Sequence, residues 1–275
     1  MNPEGLASRS LTDLISLRGR AAVITGGGRG IGAAIARRFA EAGANLAIGD
    51  INEPTAAAVA GETRQRFQVQ AVATRLDVTD STSVAGLAAL AEATFGRIDI
   101  WVNNVGVFPP AMLTETTDAQ WDAVHDVNLR GTFFGCREAG KRMAAAGRGV
   151  IVNITSVSAY RGRASIGHYS AAKHGVAGLT KSLAVELGGR GVRVVAVSPC
   201  MTETPGLCEQ RRASQSSDAR SDSFQEMEVR IRSNIPLNRF GHPDDVARAV
   251  LFCASDLASF VTASTVFADG GVSAI

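Results

Sequence analysis

Five uncharged residues, Ala21–Thr25 (AAVIT), run without a break into TGGGRGIG and then into the helix-spaced stretch IGAAIARRFAEAG. A short run of this kind reads as a strand buried on both faces, and both faces of a strand are covered when helices lie above and below a parallel sheet. A glycine-rich turn between such a strand and a helix brings backbone amides together at the helix N-terminus, where the positive end of the dipole attracts an anion. This stretch narrows the chain to an α/β architecture with a phosphate-binding turn at its first crossover. A glycine turn that merely joins strand to helix is the plain alternative, and the loop alone does not exclude it.

The remaining sequence repeats the alternation. NLAIGD, VQAVATRLD, IDIWVNN, GVIVNIT, VRVVAVSP and STVFAD read as six further strands. Between them, helical spacing covers Ile31–Gly43, with Gly43 as its C-terminal stop, then Glu53–Arg66, Ser81–Gly96, Asp118–Ala146, Ser165–Gly188 and Pro243–Ser255. Gly131 and Gly135 sit inside the Asp118–Ala146 pattern, where they permit close packing. The prediction is a single α/β domain over residues 18–275, a doubly wound Rossmann fold with a mostly parallel seven-stranded sheet. Residues 1–17 read as a loose extension docked by Leu11, Leu14 and Ile15. The polar, Ser- and Arg-rich segment at about 203–234 reads as a substrate lid.

Several function classes drop out. A formal net charge of +2 gives no electrostatic case for nucleic acid or an anionic membrane. No apolar run approaches the ~18 residues of a membrane span, and the first twenty residues lack the apolar core of a secretory signal. Cys136, Cys200, Cys208 and Cys253 form no CxxC pair and have no histidine cluster beside them. Free thiols in a reducing cytoplasm, with no metal site, are the expectation.

Two further positions carry chemistry. Asp50 ends the second strand, where a carboxylate can accept hydrogen bonds from the adenosine ribose and repel a 2′-phosphate. That favours NAD and makes NADP the weaker expectation. Ile51 adds no positive charge, whereas Arg29 in the glycine loop argues for the phosphate; a turn or capping aspartate is the bland reading of Asp50. The stretch HYSAAKHG then places Tyr169 and Lys173 four residues apart in a chain with only two tyrosines and three lysines. Four residues is about one helical turn, so the two share a face, and an ammonium beside a phenol favours the phenolate. His168 and His174 turn away from that face as packing or surface residues. Trp101 and Trp121 read as packing residues.

From about Arg18 to the C-terminus these motifs resemble the short-chain dehydrogenase/reductase family. TGGGRGIG is similar to its TGxxxGxG loop, LDV (Leu76–Val78) to its turn after strand three, and NNVG (Asn103–Gly106) to its NNAG. Asn128 in VNLRGTFF, Ser156 in NITSVSA and the Tyr169/Lys173 pair match its catalytic positions. SPCMTETP resembles its PGxxxT segment and RFGHPDDVARAVLFCASDLASFVTASTVFADGG its C-terminal region.

The resemblance implies hydride transfer between NAD(H) and a small-molecule secondary alcohol or ketone, without a metal. Tyr169 would be the general acid/base, Ser156 would hold the substrate oxygen, and Lys173 would also bind the nicotinamide ribose. Asn128 would hold a water that relays protons. Cofactor contacts would come from Gly26, Arg29, Gly30, Ile31, Gly32, Asp50, Ile51, Asp77, Val78, Asn104, Gly106, Tyr169, Lys173, Pro199 and Thr202. A homotetramer is implied, with the Asp118–Ala146 and Ser165–Gly188 helices and the last strand at its interfaces. An NADP-dependent ketoreductase of acyl or polyketide substrates and a non-catalytic cofactor-binding relative are the alternatives.

Two departures stand out. Cys200 replaces the family's glycine after Pro199 and is expected to contact cofactor or substrate. Ala263 replaces another common glycine, with a methyl-sized effect on packing or subunit contacts. Expected pocket walls are Phe108, Ser158, Cys200 and the lid.

Overall fold

A computed structural model describes residues 3–209, 229 and 231–275. Seven strands form one sheet: β1 (Ala21–Thr25), β2 (Asn45–Asp50), β3 (Ala71–Arg75), β4 (Ile100–Asn103), β5 (Gly149–Ile154), β6 (Val192–Pro199) and β7 (Thr265–Ala268). Their order is β3-β2-β1-β4-β5-β6-β7, and every neighbouring pair is parallel. The strands are apolar throughout because both faces are covered. Ala22 and Ile24 of β1 enter one core with Ile35 and Phe39 of α3 (Gly30–Glu41), Val59 of α4 (Glu53–Phe67) and Val250. Val23, between them, points to the other face, packing with Leu87 of α5 (Ser81–Phe95), Met143 and Ala184. Val23 pairs with Ala47 and Ile24 with Ile48, so the alternation carries across strands in register.

Before β1, α1 (Pro3–Ala7) and α2 (Leu11–Ile15) give the predicted loose extension structure of its own. Of the expected anchors, Leu14 is half-buried and Ile15 borders a groove with Arg38 and Leu251, but Leu11 does not dock. Leu17 is fully buried and Arg9 donates to the Asp256 carboxylate at 2.7 Å, whereas Leu11 is 76% exposed. The predicted Asp118–Ala146 helix is divided: α6 (Asp118–His125) passes through a π-helical turn (Asp126–Arg130) into α7 (Gly131–Ala146). Helix α8 is Gly167–Gly188 and α9 is Pro243–Ala254, closed at its start by a capping box of His242 and Asp245. Of the predicted lid, residues 210–228 and 230 lie outside the described residues; 205–209 are helical. No helix among the described residues is long and apolar enough to cross a membrane.

Candidate active site

Strand β1 lies between β2 and β4, so successive crossovers leave it in opposite directions, and a crevice opens beyond the strand ends where they diverge. The glycine loop follows β1 there, and NNVG follows β4. Gly26 and Gly30 have φ of +65° and +56°, backbone that L side chains resist. At Gly32 the constraint is contact: a Cβ would lie 2.1 Å from Gly26 O and 2.7 Å from Asn104 Nδ2. Asn104 Nδ2 donates to Thr25 O and Gly26 O at 3.1 and 3.0 Å, so this side chain braces the loop from β4. Ile31 packs partly buried against the α3 core. Whereas α4, α5 and α6 are capped by Asn52, Asp80 and Thr117, α3 has no side-chain cap and no acid in its first turn. Uncapped amides beneath a glycine loop fit a bound pyrophosphate.

Asp50 Oδ2 accepts from Gly28 N–H at 2.9 Å and Oδ1 from Asn52 N–H at 3.0 Å. The carboxylate therefore ties β2 to the glycine loop as a turn residue, and acceptor capacity remains on each oxygen. Ile51 is exposed beside it. Arg29 is occupied by Glu209, its Nη1 lying 3.1 Å from both carboxylate oxygens. Thr79 donates to Asp77 through its hydroxyl and amide, holding the Asp77 carboxyl below the usual range. Val78 is buried beside Gly131 at the start of α7.

Pro199 ends β6. Thr202 is buried in a bridge with Gly241 and donates to Cys200 O at 3.0 Å, so its hydroxyl is used locally. Thr204 approaches the glycine loop instead: a Cβ on Gly30 would meet its methyl at 3.4 Å. The signal for Thr204 was in the sequence, since PGxxxT spacing counts five residues from Pro199 to 204. Cys200 is half-buried, outside the left-handed region that would demand glycine, and burial pushes its thiol up to about 11.

Tyr169 and Lys173 share one face of α8. Lys173 is almost fully buried; its Nζ donates to Ile154 O at 2.9 Å and sits 5.8 Å from the Tyr169 ring centroid. Ser156, in extended backbone just after β5, lies close enough to the Tyr169 phenol to oppose the effect of its burial, and accepts from Ser158 N–H at 3.2 Å. The expected direction at the phenol is reversed. Burial pushes Tyr169 up to about 12 against the opposing effect of Ser156, and burial brings Lys173 down to about 8. At this separation desolvation outweighs the attraction of the ammonium for a phenolate. Phe108 covers Tyr169 with its ring centroid 5.7 Å away.

Asn128 lies in the π turn, fully buried. Its Nδ2 donates to Val107 O at 2.9 Å and Val124 O at 2.8 Å, and its Oδ1 accepts from Val107 N–H at 3.3 Å. Gly106 separates this amide from Lys173, since its Cβ would be 2.9 Å from Asn128 Oδ1 and 3.5 Å from Lys173 Nζ. Helix geometry predicts that His168 and His174 turn away from this face. His168 is fully buried, and His174 is exposed with Nδ1 at 2.8 Å from Ser170 O. Trp101 is fully buried and bonded to Asn103, whereas Trp121 is exposed and stacked on His125.

A doubly wound parallel sheet with an uncapped glycine-loop helix at its switch point defines a dinucleotide-binding class of protein. A family model described as enoyl-(acyl carrier protein) reductase matches residues 26–273. The cis-4-hydroxycyclohexanecarboxylate dehydrogenase of Sinomonas cyclohexanicum is 41% identical over 93% of this chain and 97% of its own. The D-threitol dehydrogenase of Mycolicibacterium smegmatis is 40% identical over 93% of each chain. A solved protein of Beutenbergia cavernae, described as a candidate NAD(P)-dependent gluconate 5-dehydrogenase with NADP bound at low occupancy, superposes with a TM-score of 0.86. It is 35% identical and covers 95% of this chain and 100% of its own. The chain belongs to the short-chain dehydrogenase/reductase family, NAD(P)-dependent oxidoreductases that act on CH–OH and C=O groups.

Proposed function

We propose that the chain transfers a hydride between NAD(H) and a secondary alcohol or ketone, with Tyr169 as general acid/base. The observation that carries this reading is the grouping of the Tyr169 phenol close to Ser156, with the buried Lys173 ammonium on the same helix face. The bound reduced nicotinamide supplies two electrons as hydride to the carbonyl carbon. Ser156 and Tyr169 orient the substrate oxygen by donating to it, and the Tyr169 O–H gives it the proton that completes the alcohol. The phenolate left behind is stabilised by the Lys173 ammonium, which Ile154 O holds in place. Alcohol oxidation reverses these steps. Asn128 secures the Val107 segment that carries Phe108 over Tyr169, and the spare acceptor on its Oδ1 is what it offers a relay water.

For the cofactor, Gly26, Gly30 and Gly32 shape the pyrophosphate seat and Asp50 receives the ribose hydroxyls. NAD(H) is the preferred partner because a 2′-phosphate would meet the Asp50 carboxylate, and the loop cation Arg29 is already paired with Glu209. NADP remains the second reading, supported by its presence in the Beutenbergia cavernae relative. We place the enzyme in the cytoplasm, where its cysteines would stay free thiols, as a homotetramer, for which apolar side chains exposed on α7, α8 and the β7 edge are the support.

The test is an absorbance screen of secondary alcohols and ketones, ring compounds included, with each cofactor. The expected outcome is kcat/KM at least tenfold higher with NADH than with NADPH, and loss of turnover in Tyr169→Phe by about 10²-fold or more with NADH binding retained. Turnover persisting in that variant overturns the mechanism. Preference for NADPH overturns the cofactor assignment, and NADH binding without turnover of any substrate selects a non-catalytic role.

A further inference from the structure

The loop between Ser156 and Tyr169 contains YRGRAS, two arginines and no acid. Among the described residues neither Arg161 nor Arg163 has a carboxylate partner. Arg161 donates to Val272 O, toward the C-terminus. Arg163 reaches the other way: its Nη1 lies 3.7 Å from Met201 Sδ, two residues beyond Pro199. A thioether is a weak acceptor, and a guanidinium has five N–H donors in a planar fork, so nearly all its capacity is unused. Its surroundings are apolar and fastened to the catalytic helix. Ala111 bridges to Ile166, Ser165 Oγ donates to Met112 Sδ at 3.3 Å, and Leu113 packs on Gly167 at the start of α8. Phe108 and Met112 remain substantially exposed on that loop. Phe108 thus lies over Tyr169, and the segments that follow Phe108 and precede α8 carry Met112 and an exposed Arg163 guanidinium that, among the described residues, has Met201 Sδ as its side-chain neighbour and no carboxylate.

We propose that Arg163 is a substrate-specificity residue that binds the carboxylate of an apolar hydroxy or keto acid, while Tyr169 and Ser156 work on its secondary hydroxyl or carbonyl. This rests on the oxidoreductase reading above. A hydrocarbon body suits the methionine and phenylalanine surface, and a carboxylate suits the fork, which can bind both oxygens at once. The carboxylate is a spectator in the redox step; its effect is on binding.

The test compares 4-oxocyclohexanecarboxylate with its neutral carboxamide, both with NADH. A pantetheine thioester of a 3-oxo acid is run beside them as an acyl-carrier mimic. Wild type is expected to favour the acid over the amide by about tenfold or more in kcat/KM, mainly through KM. Arg163→Met should bring that ratio toward one, and Arg163→Lys should retain part of it, as a point charge without the fork would. Equal use of acid and amide by wild type, or an undiminished preference in Arg163→Met, overturns the proposal but leaves the oxidoreductase reading intact. Turnover of the thioester with neither ring ketone used also overturns it, in favour of a carrier-bound substrate. If NADH binds and none of the three carbonyls is reduced, this proposal falls, while the oxidoreductase reading falls only if the broad screen of alcohols and ketones also shows no turnover.

Discussion

At Lys173 the proposed chemistry and the stability of the fold meet in one atom. A buried ammonium with one carbonyl partner has lost most of its hydration, which is why its value falls from the ordinary 10.5 to about 8. Between those values the unfolded chain holds a proton that the folded chain has released, so folding stability rises with pH across that window. Below about pH 8 the folded state carries the cost of the buried charge in full. Measured by denaturant unfolding, wild type should gain about 2 kcal/mol relative to Lys173→Met between pH 7 and pH 9.5. A constant difference between the two would mean that the lysine is hydrated in solution. In the sequence, the spacing of Tyr169 and Lys173 and the position of Asp50 were legible because helix geometry and strand ends are local. The sign of the shift at Tyr169 was not, because it depends on how much protein covers the phenol. Ala263 marks the same boundary. Its φ of +58° shows why glycine suits that position, whereas the residue type alone conveys only the volume of a methyl.

Among the elements, the Asp118–Ala146 segment shows where periodicity stops informing. DVNLR contains no breaker, so the hydrophobic pattern runs straight through it, yet the backbone takes a π turn there and turns Asn128 inward to the Val107 and Val124 carbonyls. A change in helical register of this kind is selected by tertiary partners and leaves no mark in composition. Similarly, α8 starts at Gly167 and not Ser165, because Ser165 adopts a left-handed φ of +64°. The expectation that glycine lets α7 pack closely is realised at Gly135. A Cβ there would stand 2.0 Å from Asn103 Oδ1 and 2.7 Å from Trp101 Nε1, inside a buried chain of hydrogen bonds running through Asn103 and Asn153 to Thr180. Alanine improves helix propensity by about 1 kcal/mol at an interior site. Overpacking costs about 1–3 kcal/mol, and breaking a buried hydrogen bond adds about as much again. The clash wins, so Gly135→Ala should lower stability by about 2–4 kcal/mol in a denaturant titration. A neutral or stabilising result would mean that the helix can move away from β4 at little cost.

At the scale of the whole molecule, strand count, parallel pairing and the two-sided core follow from apolar strands alternating with amphipathic helices, and these were legible. Strand order was not legible, since it depends on which side each crossover takes. What lies outside the fold is also patterned. The outer faces of α7 and α8 expose Phe133 and Val185, the latter at 81%, and the β7 side exposes Phe267 and a completely exposed Phe260. Charged residues or proline commonly protect an open sheet edge from pairing with another chain, and apolar side chains beside one suit burial against another copy. Two separate apolar faces on one chain generate a closed tetramer when each pairs with its own kind through a twofold axis. Sedimentation velocity at micromolar concentration should therefore show a tetramer. Val185→Glu and Phe260→Asp change side chains that are mostly or completely exposed in the isolated subunit, so each should leave the fold intact while opposing one interface. Each single variant should sediment as a dimer, and the double variant as a monomer with an unchanged circular dichroism spectrum. A wild-type monomer would remove the homotetramer, and variants that remain tetrameric would move its interfaces to other surfaces.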